Sequence, residues 1–315
     1  MEPDVVPEVV IVGSANVDLV LPVQRIPRPG ETVLAGVMTR GPGGKGANQA
    51  VAAARAGART AMIASLGDDD GGALMRDALG SSGVDLSLVS TGSAPTGTAI
   101  IAVDESGENS IVVAPGANGE LTLSGPAAAA VRAAKVVLAQ LEIPFRTVQD
   151  AAAASSYFIL NAAPAAELPD ELLAEVDLLV VNETEAEAIA GADRSALLKK
   201  VPAAVVTLGA AGAVILTRGE EEISVPGLPV DVVDTTAAGD TFCGVLAAAL
   251  SAVSTTGSTT GSTTASNTGA ITSSDLTNAV RRATVAASLS VQAAGAIPSV
   301  PHGDAIDARY AEVYL

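Results

Sequence analysis

The chain has 315 residues, enough to bury a substantial core in one large α/β domain or two smaller ones, and 49% of it is hydrophobic against 2% aromatic with no Trp, so the core is built from Ala, Val, Leu and Ile. A formal charge of -18 and a pI near 4.3 argue against nucleic acid and anionic membrane as partners, and oblige any nucleotide site to find its positive potential locally. The single cysteine, Cys243, excludes an internal disulfide; an acidic start (MEPDVVPE), apolar runs broken before spanning length and the lack of Cys/His metal spacing lead to the expectation of a cytoplasmic protein with no structural zinc.

Short apolar runs recur between Ala-rich helical stretches: Val9 to Val12, Thr60 to Ala64, Lys135 to Leu141, Tyr157 to Leu160, Asp177 to Val181, Ala204 to Leu208 and Ala213 to Thr217. Uninterrupted strands alternating with helices predict an α/β fold with a mostly parallel sheet covered on both faces, whose ligands bind at the carboxyl ends of the strands. Two segments, about 17–40 and 96–114, break the rhythm with extended stretches and turn residues; they read as hairpins forming a small β layer, placed to act as a lid. Residues 254–274 are a Ser/Thr/Gly segment of low complexity, expected to be a disordered loop.

The first strand is followed by GSANVD, residues 13–18, in which period-two alternation puts Asn16 and Asp18 on one face, either as ligand contacts or as ordinary turn residues. GPGGKGANQA, residues 41–50, runs into a helix but is no Walker loop, because the required first Gly is Thr39 and Gly46 stands where Ser or Thr is needed. It reads as a glycine loop that brings a polar ligand to the backbone, with Lys45 and Asn48 as donors. Polar residues also close later strands: Gln140 and Glu142, NETEAE at 182–187, and TLGAAG at 207–212, where Gly209 and Gly212 would admit a nucleotide. Acids that open a helix complement its dipole or, beside a triphosphate, hold Mg²⁺ through its waters.

The strongest segment is DTTAAGDTF at 234–242, leading into an apolar helix. Small residues there let the amides of Ala237, Ala238 and Gly239 converge where the helix dipole is positive, which makes an anion pocket. Asp240, in the first helical turn, is either a dipole partner or a carboxylate that takes a proton from a hydroxyl while the pocket holds a phosphoryl group. His302 reads as a surface residue and Cys243 as a small packing residue.

Together, GSANVD, GGKGANQA, NETEAE, TLGAAG and DTTAAGDTF resemble, in order, the motifs of the ribokinase-type members of the PfkB-type carbohydrate kinases. The resemblance implies a ribokinase-like three-layer sandwich with a β lid, phosphorylation of D-ribose by ATP, and a homodimer through the lid. Asp240 is then the base, with the amides of 237–239 as anion hole. Asn16, Asp18, Gly44, Lys45, Gly46, Asn48 and Glu142 fall at the sugar positions. Asn182, Glu185, Thr207, Leu208, Gly209, Ala210, Ala211, Gly212 and Thr284 fall on the nucleotide and Mg²⁺ side. Asp234, Thr236, Ser290, Ala293, Gly295 and Ser299 match a monovalent cation site, usually for K⁺. Against the family pattern, the stretches 144–161 and 187–205 are short. A related sugar or nucleoside kinase and a non-catalytic sugar-binding protein are the competing readings; a Rossmann oxidoreductase is disfavoured, since no G-x-G-x-x-G follows the first strand.

Overall fold

The structure is a computed structural model that describes residues 6–256 and 271–315, so most of the Ser/Thr/Gly segment expected to be disordered lies outside the described residues. Four apolar residues form β1 (Val9–Val12), and the chain then leaves the main sheet for β2 (Asn16–Pro22) and β3 (Thr39–Gly43). It returns through α1 (Lys45–Arg55) to β4 (Thr60–Ile63), then passes β5 (Ser65–Leu66), α2 (Asp70–Ser81), β6 (Ser90–Thr91), β7 (Gly97–Val103) and β8 (Asn109–Ala114). Helix and strand alternate through α3 (Gly125–Ala133), β9 (Val136–Ala139), α4 (Phe145–Ala154), β10 (Phe158–Asn161), α5 (Asp170–Leu173), β11 (Leu178–Asn182), α6 (Glu183–Ala190) and β12 (Ala203–Thr207). The last elements are β13 (Gly212–Thr217), β14 (Ile223–Pro226), α7 (Ala238–Thr256), α8 (Ser273–Ser290), α9 (Ala296–Ser299) and α10 (Gly303–Tyr314).

The main sheet has eight strands in the order β14-β13-β12-β11-β10-β9-β1-β4, parallel from β4 to β12. β13 and β14 are antiparallel additions. Only Leu208 and the tight turn Gly209–Ala211 separate β12 from β13, far too little chain for the crossover that a parallel strand needs. Alternation along β1 serves both faces: Val9 and Ile11 pack into a core with α1, α2, α7 and α8, while Val10 and Val12 pack into a second core with α3, α4 and α5. Burying both faces is what makes the strands read as continuous apolar runs. Leu138 and Leu160 are fully buried, one in each core, and truncating either to Ala would cost about 2–5 kcal/mol.

A separate four-stranded sheet, in the order β3-β2-β7-β8, forms the expected small layer. β7 and β8 are a hairpin closed over the Asp104 turn, with Gly107 at a φ of 86°. The 17–40 segment is not the tight hairpin its turn residues suggest: β2 and β3 pair antiparallel but are joined by the long connection 23–38, and β2 pairs parallel with β7. Between β11 and β12, the stretch 187–205 noted as short holds the second half of the eight-residue α6 and a 3-10 helix, Arg194–Lys199.

Candidate active site

The carboxyl ends of the parallel strands face the first turns of α1 and α7, and Asp240 lies at their meeting point. It is 9% exposed. Its Oδ2 accepts from Asn48 Nδ2 at 2.9 Å and its Oδ1 from Gln49 Nε2 at 2.9 Å. Burial pushes the Asp240 carboxyl above its ordinary range; the Lys45 ammonium and these two amide donors pull it back, and Glu142 pushes it up further.

The turn before α7 is unusual. Ala237 has a φ of 59°, the only positive φ at a non-glycine position among the described residues. Holding an alanine there costs roughly 1–2 kcal/mol, which the surroundings must offset. Asp234 braces the turn: its Oδ1 accepts from Thr236 N at 2.9 Å and Thr236 Oγ1 at 2.6 Å, and its Oδ2 accepts from Gly295 N at 2.8 Å. Burial pushes Asp234 up, but the Thr236 and Gly295 donors outweigh it and hold the carboxyl below its usual range. Of the three amides expected to converge, that of Ala238 donates to the Thr235 carbonyl at 3.3 Å, so its own turn partly occupies it.

On the lid side, pairing places Asn16 opposite Gly43 and Asp18 opposite Gly41. The Asp18 carboxylate lies against the Gly43 α-carbon, where a Cβ would meet its Oδ2 at 2.0 Å. Burial, then the nearby charges of Glu142 and Asp240, push Asp18 up to about 7. Glu142 accepts from Ser14 Oγ at 2.6 Å and from the Lys45 amide at 3.2 Å. Asn16 is 2% exposed and its Oδ1 accepts from Asn118 Nδ2 at 2.7 Å, so Asn118 orients it. The glycine loop does more for the chain itself than expected. Gly44, at a φ of 90°, lies against the Asn16 amide, and Gly46 lies against Gly13 and Ser14.

Lys45 opens α1 with its side chain half-buried. Desolvation pulls it down, yet Asp240, Glu142, Glu185 and Cys243 together raise it above its ordinary value, so it is charged. It lines a cleft of about 190 Å³ with Asn182, Glu185, Thr207, the turn 237–239 and Asp240. Asn182 and Glu185 form a reciprocal capping box at the start of α6, with bonds of 2.8 and 2.9 Å. Burial raises Glu185 despite the bond from the Asn182 amide and the attraction of Lys45. Leu208 and the turn 209–211 follow at the end of β12, where Gly209 has open space around it. Gly212 also has a packing reason to be glycine, because a Cβ there would meet the Val225 carbonyl at 2.1 Å.

Of the positions expected to hold a monovalent cation, the Asp234–Gly295 bond joins two; the Ser290 and Ser299 hydroxyls donate to the carbonyls of Ala287 and Ala296 in their own turns, and the Ser290 carbonyl accepts from the Ala293 amide at 3.2 Å. Thr284 does not line the cleft; it is buried in α8 and its hydroxyl donates to the Val280 carbonyl at 2.9 Å. His302 is exposed before α10, and Cys243 is buried, its thiol pushed up by desolvation and by Asp240. Gln49, Asn118, Ser14 and Asn161 are site residues that the motif reading passed over. Asn161 carried the same signal as Gln140, a polar side chain directly after an apolar run.

The family described as pfkB family carbohydrate kinase matches residues 6–303. A ribokinase of Haemophilus influenzae is 37% identical over 309 residues, covering 92% of this chain and 94% of that protein. A bifunctional ribokinase/ribose-5-phosphate isomerase A of Fructilactobacillus sanfranciscensis is 37% identical over 318 residues, 95% of this chain; the chain spans only 55% of that longer protein. Among solved structures, Arabidopsis thaliana ribokinase complexed with ribose and ATP superposes with a TM-score of 0.84 at 33% identity, covering 97% of this chain and 99% of its own. With the match running from before β1 into α10, the chain belongs to the pfkB family of carbohydrate kinases.

Proposed function

We propose that the chain transfers the γ-phosphoryl group of ATP to the primary hydroxyl of D-ribose, giving ribose 5-phosphate and ADP. The observation that carries this reading is a buried carboxylate, Asp240, held at a helix mouth by two amide donors and facing a cleft that contains a charged lysine. As the bond from the sugar oxygen to phosphorus forms and the bond from the γ-phosphorus to the β-phosphate oxygen breaks, the hydroxyl proton passes to Asp240. The amides of 237–239, at the positive end of α7, receive the charge on the phosphoryl oxygens, and Lys45 supplies the local positive potential that a chain of charge -18 otherwise lacks. Asn16, Asp18, Gly44, Gly46, Asn48 and Glu142 hold the sugar, and the lid excludes water that would otherwise consume ATP. The nucleotide runs past Asn182, Glu185 and 207–212. Ribose and ATP are the ligands of the Arabidopsis neighbour, which supports this choice of substrates.

Two ions belong to the reading. Mg²⁺ would neutralise the triphosphate, held through water by Glu185 and Asn182; the capping bond uses one Glu185 oxygen and leaves the other free for this. K⁺ would sit by Asp234 and Thr236 with Ser290, Ala293, Gly295 and Ser299, a set that fits because Asp234 is kept in its charged form and tied to Gly295. Ile100, Ile111 and Val112 of the lid are 44%, 53% and 66% exposed, which supports a homodimer through the lid. Among the described residues no helix is long and apolar enough to cross a membrane, and the buried lone cysteine fits a reducing cytoplasm.

The test is an acceptor panel of D-ribose, 2-deoxyribose, other pentoses and nucleosides with ATP, Mg²⁺ and K⁺, reading ADP release and the position of the new phosphate. The expected result is the highest kcat/KM for ribose, phosphorylated at the primary hydroxyl. Ribose binding in calorimetry with no ADP formed would mean a non-catalytic binding protein instead.

A further inference from the structure

Behind the Asp240 carboxylate lies a ladder of buried amides. Gln49 and Gln140 are 0% exposed and Asn161 is 8% exposed. The Gln49 Nε2 donates to Asp240 Oδ1 at 2.9 Å and to Asn161 Oδ1 at 3.0 Å, and its Oε1 accepts from Gln140 Nε2 at 2.5 Å. Asn161 in turn donates to the Val180 carbonyl at 3.3 Å. Turning the Gln49 amide end for end would set oxygen against oxygen at Asp240 and Asn161 and nitrogen against nitrogen at Gln140. Asp240, which can only accept as a carboxylate, and Asn161, itself fixed by the Val180 carbonyl, therefore impose one orientation, and the bond from Gln140 completes it.

We propose that Gln49, held in that orientation by Gln140 and Asn161, is a positioning residue that aims the Asp240 carboxylate at the acceptor hydroxyl. The proposal rests on the reading of Asp240 as the proton acceptor. Asn48 and Gln49 each take one oxygen of the same carboxylate, so together they fix its plane and leave its remaining lone pairs for the substrate. They reach it because α1 and α7 touch at a glycine, Gly244, where a Cβ would meet the Gln49 carbonyl at 2.3 Å. The donor from Gln49 also favours the charged carboxylate, alongside Lys45 and Asn48 and against burial and the repulsion of Glu142. A buried glutamine that merely tied two helices together would need neither the second donor bond nor the brace from Gln140.

Gln49→Met keeps the approximate volume and removes the amide; Gln140→Met leaves Gln49 in place and removes its brace. For Gln49→Met we expect kcat to fall on the order of 10- to 100-fold near neutral pH with the ribose KM changed less than about threefold, since a small misplacement of a reacting group is expressed mainly in the chemical step. The acidic limb of the kcat profile should move up by about one pH unit, so that the deficit shrinks in alkali. Gln140→Met should show the same pattern with smaller amplitude, and it decides the matter if Gln49→Met does not fold. A kcat reduced by one factor at every pH, or a loss carried by KM, would make Gln49 a structural brace only. Asp240→Asn separates the two ideas. If that variant turns over normally, the reading of the base fails; if it is inactive while both glutamine variants behave as wild type, only the positioning role fails.

Discussion

Gly244 of α7 and Gln49 of α1 meet so closely that a methyl group added at 244 would lie 2.3 Å from the Gln49 carbonyl oxygen and 2.6 Å from the Ala52 Cβ. The chemistry proposed for Asp240 would depend on this contact, because α1 delivers Asn48 and Gln49 to its carboxylate. Gly244→Ala is expected to push the helices apart at a destabilisation of about 1–3 kcal/mol, a fall in Tm of several degrees, with kcat reduced at an intact ATP KM. Thermal unfolding checks the first part. An unchanged Tm would show that the helices have room to spare.

Asp240→Asn preserves the shape of the side chain but cannot take a proton. It should bind ribose about as well as wild type in calorimetry and lose roughly 10²- to 10⁴-fold in kcat. Turnover within a few-fold of wild type would remove Asp240 from the mechanism.

The main sheet was legible because strands buried on both faces carry their signal in unbroken Val, Ile and Leu. β1 is 0% exposed at all four positions. The lid was legible only as a break in that rhythm. Nothing in the alternation of β2 says that its partners are β3 on one side and β7, some eighty positions on, on the other. In the site, Asp240 stood out because a helix start packed with small residues is chemically suggestive, whereas Gln49 is one polar residue in an Ala-rich helix and acquires meaning only through Gln140 and Asn161. The glycines of the 41–46 loop carried a second meaning that the sequence did not show. A ligand and a neighbouring strand ask the same thing of a backbone, and at Gly43 and Gly44 the close neighbours are Asp18 and Asn16.

Among the described residues, Lys45 is the only Lys or Arg lining the cleft that holds Asp240 and the turn 237–239. Glu142, Glu185 and Asp240 all draw on its charge. Lys45→Met should therefore lower kcat by about 10²- to 10³-fold, comparable to deleting a donor that stabilises developing oxyanion charge. It should also move the acidic limb of kcat to higher pH, since Asp240 loses the cation that opposes its burial. An effect on ribose KM alone would confine Lys45 to sugar binding.

Asp18 gives the stability of the protein a pH dependence of known sign. In the unfolded chain its carboxyl ionises near 3.9, whereas burial and the charges of Glu142 and Asp240 push it up to about 7 in the fold. Between these values the folded state binds the proton more tightly, so this group's contribution to stability declines as the pH rises from about 4 to about 7 and is constant above that. Asp18→Asn has no such titration. Comparing the two proteins cancels every other group that titrates alike in both, and the variant should gain more in Tm at pH 8 than at pH 5. A Tm difference that is the same at pH 5 and pH 8 would mean that Asp18 ionises at its ordinary value, and that the cluster of Asp18, Glu142 and Asp240 is better solvated than its burial implies.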